Sequence, residues 1–159
     1  MEYTFTTSSP EQTQSLGRHL GELLRGGDLV CLFGGLGVGK TAFAQGVGQA
    51  LEVQETLTSP TFTLMQEYTA RIGGERVRLV HMDLYRLNNP EEVEVIGVED
   101  QFQADTVCLI EWPEIALGFF PDDRIDIVIE GNGDLPRQFL FRSHSPEWAE
   151  RWSELTGGA

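Results

Sequence analysis

Eight consecutive residues, Gly34-Gly35-Leu36-Gly37-Val38-Gly39-Lys40-Thr41, bring glycines, one ammonium and one hydroxyl together in a pattern suited to holding a polyphosphate. They satisfy G-x-x-x-x-G-K-[ST] at every fixed position. Glycine backbone turns tightly and aims successive N–H groups inward, which makes an anion-binding nest. A helix that starts at the end of such a turn adds the positive end of its dipole. Lys40 is then expected to reach the β- and γ-phosphates of a nucleotide, and the Thr41 hydroxyl to ligate magnesium. Lysine usage points the same way. Lys and Arg together number 11, and Lys40 is the only lysine among them. Cations elsewhere in the chain are arginines, so this is the one position that calls for a compact ammonium on a flexible stem.

A phosphate loop of this kind works with an acid at the end of a neighbouring strand. Glu111 closes the apolar run Val107-Cys108-Leu109-Ile110, and Asp83 closes Leu79-Val80-His81-Met82. Strand alternation puts His81, Asp83 and Tyr85 on one face and Val80, Met82 and Leu84 on the other. Carboxylates at two strand ends can serve the metal and orient the attacking water, and residue type leaves open which does which. Either acid alone reads equally well as a cap or a surface charge; beside a complete phosphate loop, the functional reading wins. His81 by itself reads as a hydrogen-bonded core histidine. A zinc site has no support, because the 3 histidines, His19, His81 and His144, are scattered. Ser59-Pro60-Thr61 reads either as a plain turn or as a switch loop that senses the γ-phosphate through a hydroxyl.

These groups need a framework. Tyr3–Thr6 alternates weakly, as a short strand does. Ser9 before Pro10 makes a good N-cap and first helical position. Leu16, Leu20, Leu23 and Leu24 follow at helical spacing until Gly26-Gly27. Leu29–Phe33 has the continuous apolar character of a strand buried on both faces. A helix over roughly Lys40–Leu51 follows the loop. Thr61–Thr69 and Val77–Asp83 read as a hairpin across Gly73-Gly74. Asn89-Pro90-Glu91-Glu92 opens a helix with acids at its positive end. Thr106–Glu111 is a second buried strand. Arg124–Glu130 and Gln138–Arg142 are late strands around Gly131–Asp134. Ser145-Pro146-Glu147 opens a last helix, about 145–156, with Trp148, Trp152 and Leu155 on one stripe as packing residues and no assigned role. The pattern predicts an α/β fold: a three-layer sandwich of the P-loop NTPase type, with a mixed, partly parallel central sheet and helices on both faces. One domain over 1–159 is expected, with no linker, repeat or low-complexity tract.

The composition narrows the function classes. A chain of 159 residues with 40% apolar content supports one packed core. No apolar stretch approaches a membrane span, and Met1–Phe5 lacks the basic and apolar regions of a secretion signal, so a cytoplasmic protein is expected. The net charge of -14 opposes extensive direct contact with nucleic acid; it fits solubility first and an acidic face for a basic partner second. Cys31 and Cys108 sit inside apolar runs and read as buried hydrophobes, not as a disulfide or a metal pair.

Gly34–Thr41, Thr58-Ser59-Pro60-Thr61-Phe62-Thr63-Leu64, His81-Met82-Asp83-Leu84-Tyr85-Arg86 and Leu109-Ile110-Glu111-Trp112-Pro113 follow one another in the order of the TsaE (YjeE) family, which this chain resembles from about Leu16 to Leu140. Those proteins are ATPase components of bacterial tRNA threonylcarbamoyladenosine (t6A) biosynthesis. The His-x-Asp-x-Tyr-Arg block is far more specific than the phosphate loop. The resemblance implies that Leu36, Gly37, Val38, Gly39, Lys40 and Thr41 contact ATP, and that Thr41 and Glu111 hold Mg2+. It implies that Asp83 is the essential acid, that Thr61 is the switch hydroxyl, and that Arg137 of the late hairpin reaches the nucleotide. The start of the first helix, near Pro10, is expected to approach the base. Gly35 and Ala42 depart from the usual residues, and both leave phosphate binding intact. The implied partners are the tRNA threonylcarbamoyltransferase (TsaD) and its inactive paralogue (TsaB). Hydrolysis would reset that complex, tRNA being involved only indirectly, and activity alone would be weak. A small-molecule P-loop kinase is the alternative, although the stretch after Asp83 is acidic (Glu91, Glu92, Glu94, Glu99, Asp100) where an acceptor site needs arginines. A GTP switch would need a second lysine for its Asn-Lys-x-Asp motif. A binding role without hydrolysis is the remaining option.

Overall fold

A computed structural model describes residues 2–35, 39–58, 64–131, 136–143 and 145–155. In chain order the elements are β1 (Glu2–Thr7), α1 (Pro10–Leu23), β2 (Leu29–Phe33), α2 (Lys40–Ala50), β3 (Met65–Ile72), β4 (Glu75–Asp83), α3 (Glu91–Ile96), β5 (Thr106–Glu111), β6 (Ile125–Glu130), β7 (Arg137–Ser143) and α4 (Pro146–Leu155). The strands form one seven-stranded sheet in the order β1-β7-β6-β2-β5-β4-β3. Its centre is parallel, β2 lying between β5 and β6 and β5 pairing with β4. The edges are antiparallel, through β1–β7, β6–β7 and β3–β4. The mixed α/β sheet expected from the sequence is present.

Most element boundaries follow local chemistry. Ser9 is extended and its side chain accepts a hydrogen bond from the Gln12 N–H, so it caps α1, with Pro10 in the first turn. β2 and β5 coincide with the apolar runs Leu29–Phe33 and Thr106–Glu111. The hairpin turns at Gly73-Gly74, but its strands are shifted: β4 starts at Glu75, and β3 starts at Met65, not Thr61. Leu64 lies outside the strand, and positions 61–63 lie outside the described residues. Two short 3-10 helices, Glu99–Gln101 and Glu114–Phe119, carry no periodic signal long enough to be read from sequence.

The sheet divides the core in two. On one face Leu20 of α1, with Phe43 and Val47 of α2, packs against Val30, Leu32, Leu79, Val107, Leu109 and Ile127, and Trp148 of α4 joins this cluster. On the other, Val93 of α3 and Ala116 cover Cys31, Val80, Met82, Cys108 and Ile110. Both cysteines are free and buried, as expected. Trp148 is buried too; the side chains of Trp152 and Leu155 lie outside those described. Among the described residues no helix is long and apolar enough to cross a membrane.

Helices α1 and α2 run in the same direction and almost touch along their backbones. A Cβ on Gly17 would lie 2.1 Å from the Phe43 carbonyl oxygen, and one on Gly46 would lie 1.9 Å from the Gln14 carbonyl oxygen. The glycines therefore set how close the helices come, which brings both N-termini to the same edge of the sheet. Gly46→Ala is expected to lower stability by about 1–3 kcal/mol through this backbone overlap, although alanine favours helix by about 1 kcal/mol. Gly118→Ala, where a Cβ meets nothing within 4 Å, serves as the control. Equal urea midpoints for the two variants would show that α1 and α2 separate at no cost.

Candidate active site

The C-terminal ends of the parallel strands define one edge of the sheet, and Lys40, Thr41, Asp83, Glu111 and Arg137 gather there. The glycine-rich segment separates the end of β2 at Phe33 from the start of α2 at Lys40. Gly39 sits at the helix N-cap with φ 104°, a left-handed conformation that favours glycine, and no side chain caps the helix. Gly39 itself offers no side-chain acceptor to the first turn of α2, whose N–H groups lie at the positive end of the helix dipole, where an anion gains. Leu36, Gly37, Val38 and Thr61 lie outside the described residues.

Lys40 is the first residue of α2 and is only 6% exposed. Its Nζ donates to the Gly34 carbonyl oxygen at 2.9 Å and lies 4.0 Å from the centre of the Trp112 ring. Burial pushes its pKa below the ordinary lysine value, and the nearby carboxylates of Glu111, Asp83 and Glu114 oppose that shift. Thr41, one residue on, has an exposed side chain in the first turn of α2.

β4 and β5 bring the two acids side by side, Asp83 pairing with Glu111 across the parallel ladder. Both lie on the face that carries Leu79, Val107 and Leu109, the face covered by α1 and α2. Alternation along β4 puts Val80, Met82 and Leu84 in the opposite cluster, as read from sequence. Tyr85 lies beyond the strand, so its position is set by the following turn and not by parity. The two carboxylates differ. Glu111 is 2% exposed, and its Oε2 lies 2.6 Å from His81 Nε2. Asp83 is half-buried, its Oδ1 accepts a hydrogen bond from the Tyr85 N–H at 2.9 Å, and burial raises its pKa.

Arg137 opens β7 opposite Thr7 of β1. Because β7 runs antiparallel to β6, and β6 parallel to β2, Arg137 sits at the same edge as the loop after β2. The start of α1 is there as well. Thr13 shares a 2.7 Å hydroxyl contact with Thr7, and its Cγ2 would lie 3.6 Å from a Cβ at Gly39.

The sequence reading attached no role to Trp112 or Glu114. Trp112 has φ 55°, a strained conformation for an aromatic residue, and Tyr85 packs on its ring with centroids 4.7 Å apart. The turn after β5 thereby folds the indole over Lys40. Composition gives no signal for this, since tryptophan has no preference for left-handed backbone. The donor set suits a hard divalent cation beside a polyphosphate: carboxylate and hydroxyl oxygens, with no soft ligand among them.

Known proteins resemble this chain in sequence and in fold. The family model for the threonylcarbamoyl adenosine biosynthesis protein TsaE matches residues 7–139. The chain is 35% identical over 150 residues to the tRNA threonylcarbamoyladenosine biosynthesis protein TsaE of Bacillus subtilis, covering 94% of this chain and 91% of that protein. It is 43% identical over 102 residues to the protein of the same name from Haemophilus influenzae, covering 64% of this chain and 62% of that one. The crystal structure of Bacillus subtilis YdiB superposes with a TM-score of 0.79 at 29% identity, covering 98% of this chain and 95% of that chain.

The raised pKa of Asp83 has a stability consequence. Below the unfolded pKa the carboxyl is neutral in both states and costs nothing; as pH rises through the folded pKa, the folded state must hold a charge that burial opposes. Asp83→Asn should therefore melt at a higher temperature than the parent at pH 7, and the gap should close near pH 3.5. Thermal melts at the two pH values check this, and a gap independent of pH would refute it.

Proposed function

The chain belongs to the TsaE family, and from that premise we propose that it is the ATP-binding and ATP-hydrolysing component of tRNA threonylcarbamoyladenosine (t6A) modification. It acts on the complex of the threonylcarbamoyltransferase (TsaD) and its inactive paralogue (TsaB), and not on the tRNA itself. The net charge of -14 supports a protein-directed role, since the chain has no cationic surplus with which to grip a phosphate backbone. The observation that carries the reading is the convergence of Lys40, Asp83 and Glu111, from three separate elements, at the start of α2.

In this reading the amides of the loop and of the α2 N-terminus bind the phosphates, and Leu36–Thr41 wrap them. Lys40 exchanges its bond to the Gly34 carbonyl for the β- and γ-phosphate oxygens, a short swing for a flexible stem. Thr41 and Glu111 would hold Mg2+, which would supply charge neutralisation to the bound polyphosphate. Asp83 orients the attacking water. It is the more open of the two acids, and burial raises its pKa, which favours proton acceptance. Glu111 is too deeply seated and too firmly bonded to His81 for that task. Thr61 senses the γ-phosphate, and Arg137 reaches the nucleotide from the neighbouring strand. With a site completed by its partners, the isolated chain turns over slowly.

Loss of the Lys40 ammonium removes a charge-assisted contact of about 1.5–3 kcal/mol, so Lys40→Ala should weaken ATP binding by about 10- to 150-fold. Asp83→Asn should keep ATP affinity and lose turnover by about 100-fold or more, the range for a misplaced general base. Calorimetry for binding, and phosphate release with and without the transferase pair, measure these separately. ATP affinity and turnover that both survive in Lys40→Ala would end the nucleotide reading. Label passing from ATP to a small metabolite, with no phosphate released, would replace hydrolysis by a kinase activity.

A further inference from the structure

His81 is a buried polar residue that the nucleotide reading leaves without a task. Its side chain is 1% exposed, and it is flanked along β4 by Val80 and Met82, both at 0%. Its Nε2 meets Glu111 Oε2 at 2.6 Å, and its Nδ1 is buried with no hydrogen-bond partner among the described residues. These facts fix the tautomer. A proton on Nδ1 would be a buried donor with no acceptor, whereas a proton on Nε2 is used in full, so Nε2–H donates to the carboxylate and Nδ1 carries the lone pair.

The ladder explains why this contact holds Glu111 in one orientation. His81 pairs with Leu109 and Asp83 pairs with Glu111, so His81 reaches Glu111 diagonally from two residues behind it on the adjacent strand. One carboxylate oxygen is taken by the imidazole, and rotation of the group would break a buried bond. The other oxygen is left to serve a ligand at the mouth of the site. We propose that His81 is a positioning residue that fixes the Glu111 carboxylate so that a single oxygen is presented to the Mg2+ held with Thr41. This rests on the reading of Glu111 as a magnesium ligand. A histidine serving only to fill the core would leave the metal requirement of nucleotide binding untouched.

The test uses the intact chain and a non-hydrolysable ATP analogue, titrated at increasing Mg2+ and again in EDTA. His81→Leu should raise the Mg2+ concentration needed for half-maximal tightening by about 10- to 100-fold, the usual effect of losing a residue that orients a metal ligand. Affinity in EDTA should stay unchanged, because the phosphate loop is intact. His81→Gln, whose amide nitrogen reaches the place of Nε2, should restore the parent Mg2+ requirement. His81→Asn, whose amide stops near the place of Nδ1, should not. Should His81→Leu fail to fold, the Gln and Asn pair decides the matter. An unchanged Mg2+ requirement in His81→Leu, or identical behaviour of the Gln and Asn variants, overturns the proposal. Glu111→Gln runs alongside. If it leaves the Mg2+ requirement unchanged, Glu111 is not a magnesium ligand and the proposal falls with that assignment; if it raises the requirement while the His81 variants do not, only the role of His81 falls.

Discussion

An ammonium that is 6% exposed must be kept charged by its surroundings, and the architecture at the sheet edge follows from that requirement. Lys40 has a backbone carbonyl at 2.9 Å, the face of an indole at 4.0 Å and carboxylates on adjacent strand ends. Burial alone would favour the neutral amine, while the carboxylates and the ring quadrupole favour the cation. Each partner comes from a different part of the chain, so all must arrive in register. The carbonyl is supplied by the end of β2, the acids by β4 and β5, and the indole by the strained turn after Glu111. A phosphate group placed here would meet a cation already desolvated and aimed, which is where electrostatic binding is strongest.

Placing α2 correctly is therefore the main task of the fold on that face. Glycines on α1 and α2 let the backbones come closer than any Cβ would allow, and Phe43, Leu20 and Val47 fill the space between the helices and the sheet. Helix α4 reinforces the far end of α1. Arg151, 3% exposed, bonds Asp28 at 2.6 Å, reaches the Leu23 carbonyl and stacks over Trp148. Burial raises the pKa of Asp28, and the Arg151 guanidinium works against that rise. The last helix, which the sequence left without a role, is thus tied to the segment that leads into β2, on the same face of the sheet as α2 but at the opposite edge from the phosphate loop.

Sequence revealed the parts whose chemistry is local. The glycine-lysine-threonine motif, the Ser9-Pro10 cap and the apolar runs of β2 and β5 each declare themselves within a few residues, and the cap, the two strands and the start of α2 at Lys40 are at the expected places. It also gave the shared face of His81 and Asp83, because alternation is a local rule. What it could not give depends on neighbours brought from afar. The start of β3 at Met65 is set by pairing with Met82. The bond between His81 and Glu111 exists only because β4 lies beside β5. The left-handed backbone at Trp112 is imposed by packing on Lys40 and Tyr85 and contradicts what tryptophan prefers alone.

The two acids show how one rule of placement yields two different groups. Asp83 and Glu111 are paired residues at the ends of adjacent parallel strands, and sequence position treats them alike. Their environments do not. Glu111 sits deeper and has a side-chain donor, so its carboxylate is held in place. Asp83 accepts the Tyr85 N–H and stands partly open, and burial raises its pKa against the opposing pull of that N–H, Lys40 and His81. A fixed carboxylate suits a task of geometry, such as holding a cation. An open one with a raised pKa suits a task of proton affinity. The side chain that makes the difference is His81, two residues before Asp83 on the same face, which spends its one donor on Glu111 and leaves Asp83 without it.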